Sequence, residues 1–162
     1  MEQKNSVQCF EEELENLHPY DMRAGGCREL YPDRISSLFG ECFQKYRTDE
    51  ERVEYLRHIA SIARAGYQDC SEENLFMDEI SKLQADTYRK KNADYGDSFK
   101  HSMDEDGILV AKIRIGDKIN RIKSLIFKGG VGLVKDERLQ DTYLDLANYC
   151  VMTILWLKGN KE

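Results

Sequence analysis

The chain is poor in the residues that break or cross-link a fold. Only two prolines occur in 162 residues, Pro19 and Pro32, both in the first fifth. A long remainder without proline leaves helices uninterrupted. Five cysteines, at 9, 27, 42, 70 and 150, form no C-x-x-C pair and leave one over. That excludes a secreted disulfide framework and a spaced zinc site, and points to reduced thiols in a cytoplasmic protein. His18, His58 and His101 are scattered, without H-x-x-x-H or neighbouring cysteine spacing. No apolar run approaches the roughly 18 residues that cross a bilayer, so no membrane association is expected. The start, MEQKNSVQCFEEELE, is acidic and lacks the basic onset and apolar core of a signal peptide. Excess positive charge is also lacking: 24 Lys and Arg stand against 30 Asp and Glu, a net charge of −6. Direct binding to duplex DNA through its phosphates is therefore not expected. G-x-x-x-x-G-K-[ST] and G-x-S-x-G are both absent, which excludes a P-loop and a hydrolase elbow.

What remains is helix. Apolar residues recur at helical spacing almost throughout, and alternating strand patterns are scarce, which predicts an all-α fold, a bundle of about five helices. A short amphipathic piece surrounds Phe10 and Leu14, and HPYDMRAGGCRELYPD after it reads as a loop. A helix is expected from Asp33 or Ser36 to about Arg47. Thr48-Asp49-Glu50-Glu51 then reads as a capping box opening a helix to about Gly66. Glu51 and Glu54 have E-x-x-E spacing, but in the first turns of a helix the dipole favours acids without any metal. Ser71 is expected to cap a helix to about Asn92, with a polar loop beyond it. The next helix runs from Asp106 to about Lys128, stopped by Gly129-Gly130. The last runs from Asp136 to Lys158. Residues 1–70 are read as a helical extension and 71–162 as the main domain.

Three stretches carry candidate chemistry. In DTYLDLANYC the apolar side comprises Tyr143, Leu146, Ala147, Cys150, Ile154 and Leu157, whereas Asp141, Asp145 and Asn148 project oppositely. Farther along, no Lys, Glu or Arg separates Asp145 from Lys158, so the helix is too apolar for a free surface and is expected to be covered by neighbours or in a homo-oligomer. VAKIRIGDKINRIKSL sets Arg114, Asp117 and Arg121 on one helix face, which surface ion pairs would explain equally well. KKNADYGDSF brings Asp94, Tyr95, Gly96 and Asp97 into an expected loop between long helices, where ligands are often held.

K-N-x-D-Y-G-D-S-F, I-R-I-G-D-K-I-N-R-I and D-T-Y-L-D-L-A-N-Y, in this order, make residues 78–158 resemble the nucleotide modification associated domain 1 family, small α-helical proteins of phages and bacteria. The resemblance implies a place in nucleotide or modified-base metabolism. More distantly, the helix order and the late acids resemble the all-α nucleoside triphosphate pyrophosphohydrolases of the MazG and dimeric dUTPase type. That resemblance implies a MazG-like arrangement and Mg²⁺ bridging the phosphates. Asp141 and Asp145 would then hold metal, Asp117 and Asp145 would serve catalysis, and Asp94, Tyr95, Asp97, Arg114, Lys118 and Asn148 would contact the nucleotide. Those enzymes carry E-x-x-E and E-x-x-D, whereas the late acids here are spaced i, i+4 and the 71–92 stretch has no E-x-x-E. A Mg²⁺-dependent pyrophosphohydrolase, a non-catalytic nucleotide-binding module and a purely structural helical oligomer all remain open on the residues alone.

Overall fold

A computed structural model describes residues 4–17, 31–71, 73–127 and 138–159, except for the side chain of Tyr95. Among these residues the fold is all-helical, with seven helices rather than about five: α1 Ser6–Glu15, α2 Tyr31–Cys42, α3 Asp49–Cys70, α4 Met77–Tyr95, α5 Ser98–Asp106, α6 Ile108–Phe127 and α7 Leu139–Gly159. Most of the expected loop after Pro19, the Gly129-Gly130 stop, His18, Cys27 and the Asp136 start lie outside the described residues.

Local chemistry explains where the helices begin. Thr48 and Glu51 form the expected capping box: the Glu51 N–H donates to Thr48 Oγ1 at 3.2 Å and the Thr48 N–H to Glu51 Oε2 at 2.8 Å. Glu51 also pairs with Arg47, and Glu54 with Arg57, so both acids of this E-x-x-E are engaged locally. Asn5 and Gln8 build a second capping box on α1.

Several expected boundaries change: α2 starts at Tyr31, inside the expected loop, and α3 runs past Gly66 to Cys70. α2 ends at Cys42 instead of Arg47. Ser71 is not the N-cap of α4: it is the C-cap of α3, and its hydroxyl accepts from the Glu73 N–H in the connecting turn. The polar loop after Asn92 shrinks to Gly96 and Asp97, because SFKHSMDED forms α5, a helix whose one fully buried side chain is Met103. Gly96 at φ 58° lets the chain turn between α4 and α5 without the strain a Cβ would bring.

α3 and α7 form the most extensive helix pair, and α6 lies along α7. α2 packs on α3 and α6, while α1 lies across α4 and α7. One core includes Phe10 and Leu14 of α1, Leu56 and Ile59 of α3, Ile115 and Ile122 of α6, and Leu146 and Ile154 of α7. The described parts of residues 1–70 and of 71–162 both contribute to this core. The apolar second half of α7 is covered within the chain itself: Cys150, Val151 and Ile154 are fully buried. Large exposed apolar side chains stand elsewhere, including Leu109 and Ile113 of α6. Cys42 and Cys150 are free thiols, and burial pushes Cys42 up to about 12 and Cys150 well above the ordinary range, so neither ionises at neutral pH. Among the described residues no helix is long and apolar enough to cross a membrane.

Candidate functional site

The polar side of α7 does not face solvent uniformly. Asp141 is exposed, Asp145 is half-buried, and Asn148 is only 6% exposed. Each turn toward the middle of α7 brings the stripe deeper under α4 and α5, which explains why it carries short side chains.

Asp145 sits between two cations. Lys91 Nζ of α4 donates to Oδ1 at 3.0 Å, and Lys118 Nζ of α6 donates to Oδ2 at 2.9 Å. Burial pushes the Asp145 carboxyl upward most strongly, but the hydrogen bonds and charges of Lys118 and Lys91 outweigh it and hold the group below its ordinary value. The carboxylate is therefore ionised at neutral pH and ties three helices together.

One turn on, Asn148 Oδ1 accepts from Gln84 Nε2 of α4 at 3.0 Å. Gln84 is fully buried, and its Oε1 has no hydrogen-bond partner. Asn148 borders a cavity of about 350 Å³ with Lys91, Asn92, Asp97, Asp145 and Tyr149. Tyr88, Phe99 and Met152 form part of its wall, and Phe99 and Tyr149 meet in a tilted contact with ring centroids 5.4 Å apart.

Tyr88, Asp97, Phe99 and Met152 also border a second cavity of about 520 Å³, between α1, α5 and α7. The two therefore adjoin each other across these four residues. α1 supplies the far wall of the larger one through Cys9, Glu12 and Glu13, and is fixed there by Phe10, which stacks on Tyr88 at 4.2 Å with the rings 4° apart. Trp156 borders the larger chamber, and its Nε1 donates to Asp104 Oδ1 at 2.8 Å.

Of the candidates read from the sequence, Asp97, Asp145 and Asn148 meet at the smaller chamber, and Lys118 joins them through Asp145. Asp94, Arg114, Asp117 and Asp141 are exposed and do not line it. The side chain of Tyr95 lies outside the described residues. Sequence reasoning missed Tyr88, Lys91, Asn92, Phe99, Tyr149 and Trp156 as site residues. Lys91, Asn92, Phe99 and Tyr149 fall inside the very stretches that stood out, but long and aromatic side chains on amphipathic helices look like ordinary surface and core. Only the crossing of α4, α5 and α7 brings them together.

The donor set does not suit a resident divalent ion. Magnesium needs several free oxygen ligands. Both oxygens of Asp145 are held by ammonium groups, and among the described residues no three His, Cys, Asp or Glu side chains gather to hold a metal. What the smaller cavity offers is a lysine, two amides, two carboxylates and aromatic walls.

An all-helical bundle with an aromatic, lysine-edged cleft describes the architecture. Residues 91–157 match the model of the family described as nucleotide modification associated domain 1, the family that the three motifs resemble. The match takes in the end of α4, all of α5 and α6, and α7 almost to its end. No curated protein and no solved structure matches the chain.

Proposed function

We propose that the chain binds a nucleotide at the smaller cavity, with the phosphate beside Lys91 and Lys118 where they meet Asp145. The observation that carries this reading is the approach of two lysines from different helices to Asp145, at the mouth of a cavity with aromatic walls and a buried amide. Lys91 and Lys118 are balanced there by Asp145 and by Asp97 on the same cavity wall, so a bound anion would be met by local ammonium donors rather than by the wide basic surface that duplex DNA requires. Cavities of several hundred Å³ that are mostly apolar and carry a few convergent polar groups are the usual form of small-molecule sites. The match to a domain described by its association with nucleotide modification supports the same ligand class.

A binding module fits this donor set better than a Mg²⁺-dependent pyrophosphohydrolase, for want of a carboxylate cluster among the described residues. Calorimetry against nucleoside mono-, di- and triphosphates, with Mg²⁺ and then with EDTA, tests the reading. Binding that persists in EDTA and weakens about tenfold in Lys91→Ala supports it. Metal-dependent binding with release of pyrophosphate would replace it with the hydrolase, and silence across the panel would end both.

A homo-oligomer is a separate proposal, supported by Leu109 and Ile113, exposed one turn apart on α6. Sedimentation of the native chain and of Leu109→Glu tests it: a single monomeric species for both would dismiss it.

A further inference from the structure

Asn148 is the most deeply set of the amides and carboxylates that border the smaller cavity: it is 6% exposed, whereas Asn92, Asp97 and Asp145 are half-buried. We infer that Asn148 is a specificity-determining residue, locked by Gln84 so that it turns only N–H donors to the cavity and takes an acceptor oxygen of the ligand. On a nucleotide that oxygen is an oxo group of the base or a phosphoryl oxygen. This rests on the nucleotide reading and deepens it by naming the group that is recognised.

The lock lies behind the cavity wall. Gln84 is fully buried and does not border the cavity, and its Nε2 donates to Asn148 Oδ1 at 3.0 Å. The acceptor end of the Asn148 amide is thereby held toward α4. Its Nδ2, the other arm of the same planar group, donates to none of the described residues, yet it is not sealed in the interior. The space open to it is the cavity that Asn148 borders. Turning one amide over would set like atoms against each other. Turning both would restore a bond but would place the Gln84 amino group, with both its protons, where the unpartnered Oε1 now lies. A buried N–H without an acceptor is rarer than an under-satisfied carbonyl, so the arrangement that points Nδ2 at the cavity is the favoured one.

An unrestrained asparagine offers a donor or an acceptor as the ligand requires and discriminates little. With Oδ1 committed to Gln84, Asn148 can only donate. An amino group on the ligand would meet another amino group and leave donors unpaired, whereas an oxygen completes the bond. Both kinds of oxygen have a place here. Asp145, with Lys91 and Lys118 upon it, stands one turn back on α7, and Phe99 and Tyr149 border the same cavity with flat surfaces for a ring. Gln84 touches no ligand and acts as a positioning residue.

Calorimetry of the full-length protein against matched ligands tests this. Uridine and cytidine 5′-monophosphate differ by an oxo group in place of an amino group, as do inosine and adenosine 5′-monophosphate, and ribose 5-phosphate has no base. Gln84→Leu frees the Asn148 amide to turn, and Gln84→Leu/Asn148→Leu removes it without stranding a partner. If the base supplies the oxygen, the native protein should bind the oxo member of a pair about tenfold more tightly, a comparison that needs no variant. Gln84→Leu should then bring the ratio toward one by improving the amino member, which a merely structural role would not do, and ribose 5-phosphate should be unaffected. If the phosphate supplies it, the pairs should bind alike and the double variant should weaken every ligand about tenfold, ribose 5-phosphate included. Preference for the amino members, or a double variant that binds every ligand as the native protein does, would overturn the inference and leave nucleotide binding standing. If no phosphate ester binds at all, both fall.

Discussion

Glu13, near the end of the first helix, pairs with Lys158, next to last in the final helix, and the same carboxylate accepts from Arg57 Nε of α3 at 2.9 Å. Glu13 is 2% exposed. Burial alone pushes its carboxyl upward, yet the bonds and charges of Arg57 and Lys158 more than offset this and leave it below the ordinary carboxylate value. A group whose folded pKa is depressed contributes stability above its unfolded value, roughly 4.3 for glutamate, and loses it as pH falls through the folded value. Glu13→Gln should therefore cost about 1–3 kcal/mol at pH 7, less than a fully buried pair because Arg57 and Lys158 can rehydrate. The cost should be smaller at pH 3 than at pH 7, because it is lost progressively as the pH falls below the unfolded value and through the folded one. Urea unfolding of both proteins at the two pH values measures this, and an equal loss at both would remove charge from the explanation.

The close approach of α3 to α7 depends on Gly66. A Cβ at that position would stand 2.6 Å from Cε1 and Cζ of Tyr143. Tyr143 is 2% exposed, so its ring has no free space to enter. Alanine is ordinarily the better helix former by about 1 kcal/mol. Overpacking costs about 1–3 kcal/mol and should outweigh that gain. Gly66→Ala is expected to lower the thermal midpoint, and a raised midpoint would show that the helices separate without penalty.

The helical class and the Thr48 cap were legible because each is a local pattern. A capping box needs only four residues in order, and a buried helix face repeats every turn. α5 escaped because nine residues with Phe99 and Met103 as their apolar side chains give too short a period to stand out. Within the site, Asp145 and Asn148 were visible as polar residues in an apolar helix. Their pairings were not, although Lys118 itself stood among the candidates, because Lys91 and Lys118 lie 54 and 27 residues from Asp145, and Gln84 lies 64 from Asn148. Nothing in a one-dimensional pattern pairs such positions. Asp117 drew notice by sharing a helix face with Arg114, but that face turns to solvent there, while Lys118, the next residue, reaches α7.

Asp145 separates the binding and hydrolytic readings. As the counter-ion of Lys91 and Lys118, it competes with any phosphate for their ammonium groups. Asp145→Asn removes that competition, so nucleotide affinity should rise several-fold at low salt, and its salt dependence should steepen. Calorimetry at two ionic strengths reads both effects. If the carboxylate instead held a catalytic metal, the same change would abolish Mg²⁺-dependent turnover and gain nothing in affinity.

Gln84 and Asn148 allow a test of which partner is committed to the interior. Gln84 is fully buried, so losing Asn148 strands its amide in an apolar setting, at a cost of about 1–3 kcal/mol. Losing Gln84 leaves Asn148 beside the smaller chamber, where water can reach it. Replacement by leucine should therefore cost more at Asn148 than at Gln84, although both break the same 3.0 Å bond. Gln84→Leu also removes a buried oxygen that has no partner, which lowers its penalty further. In Gln84→Leu/Asn148→Leu the stranded amide is gone, so the double variant should be more stable than Asn148→Leu alone. Chemical unfolding of the three variants gives the comparison. Equal costs for the single changes, simply adding in the double, would mean that the two amides do not depend on each other and that the floor of the cleft is held by packing alone.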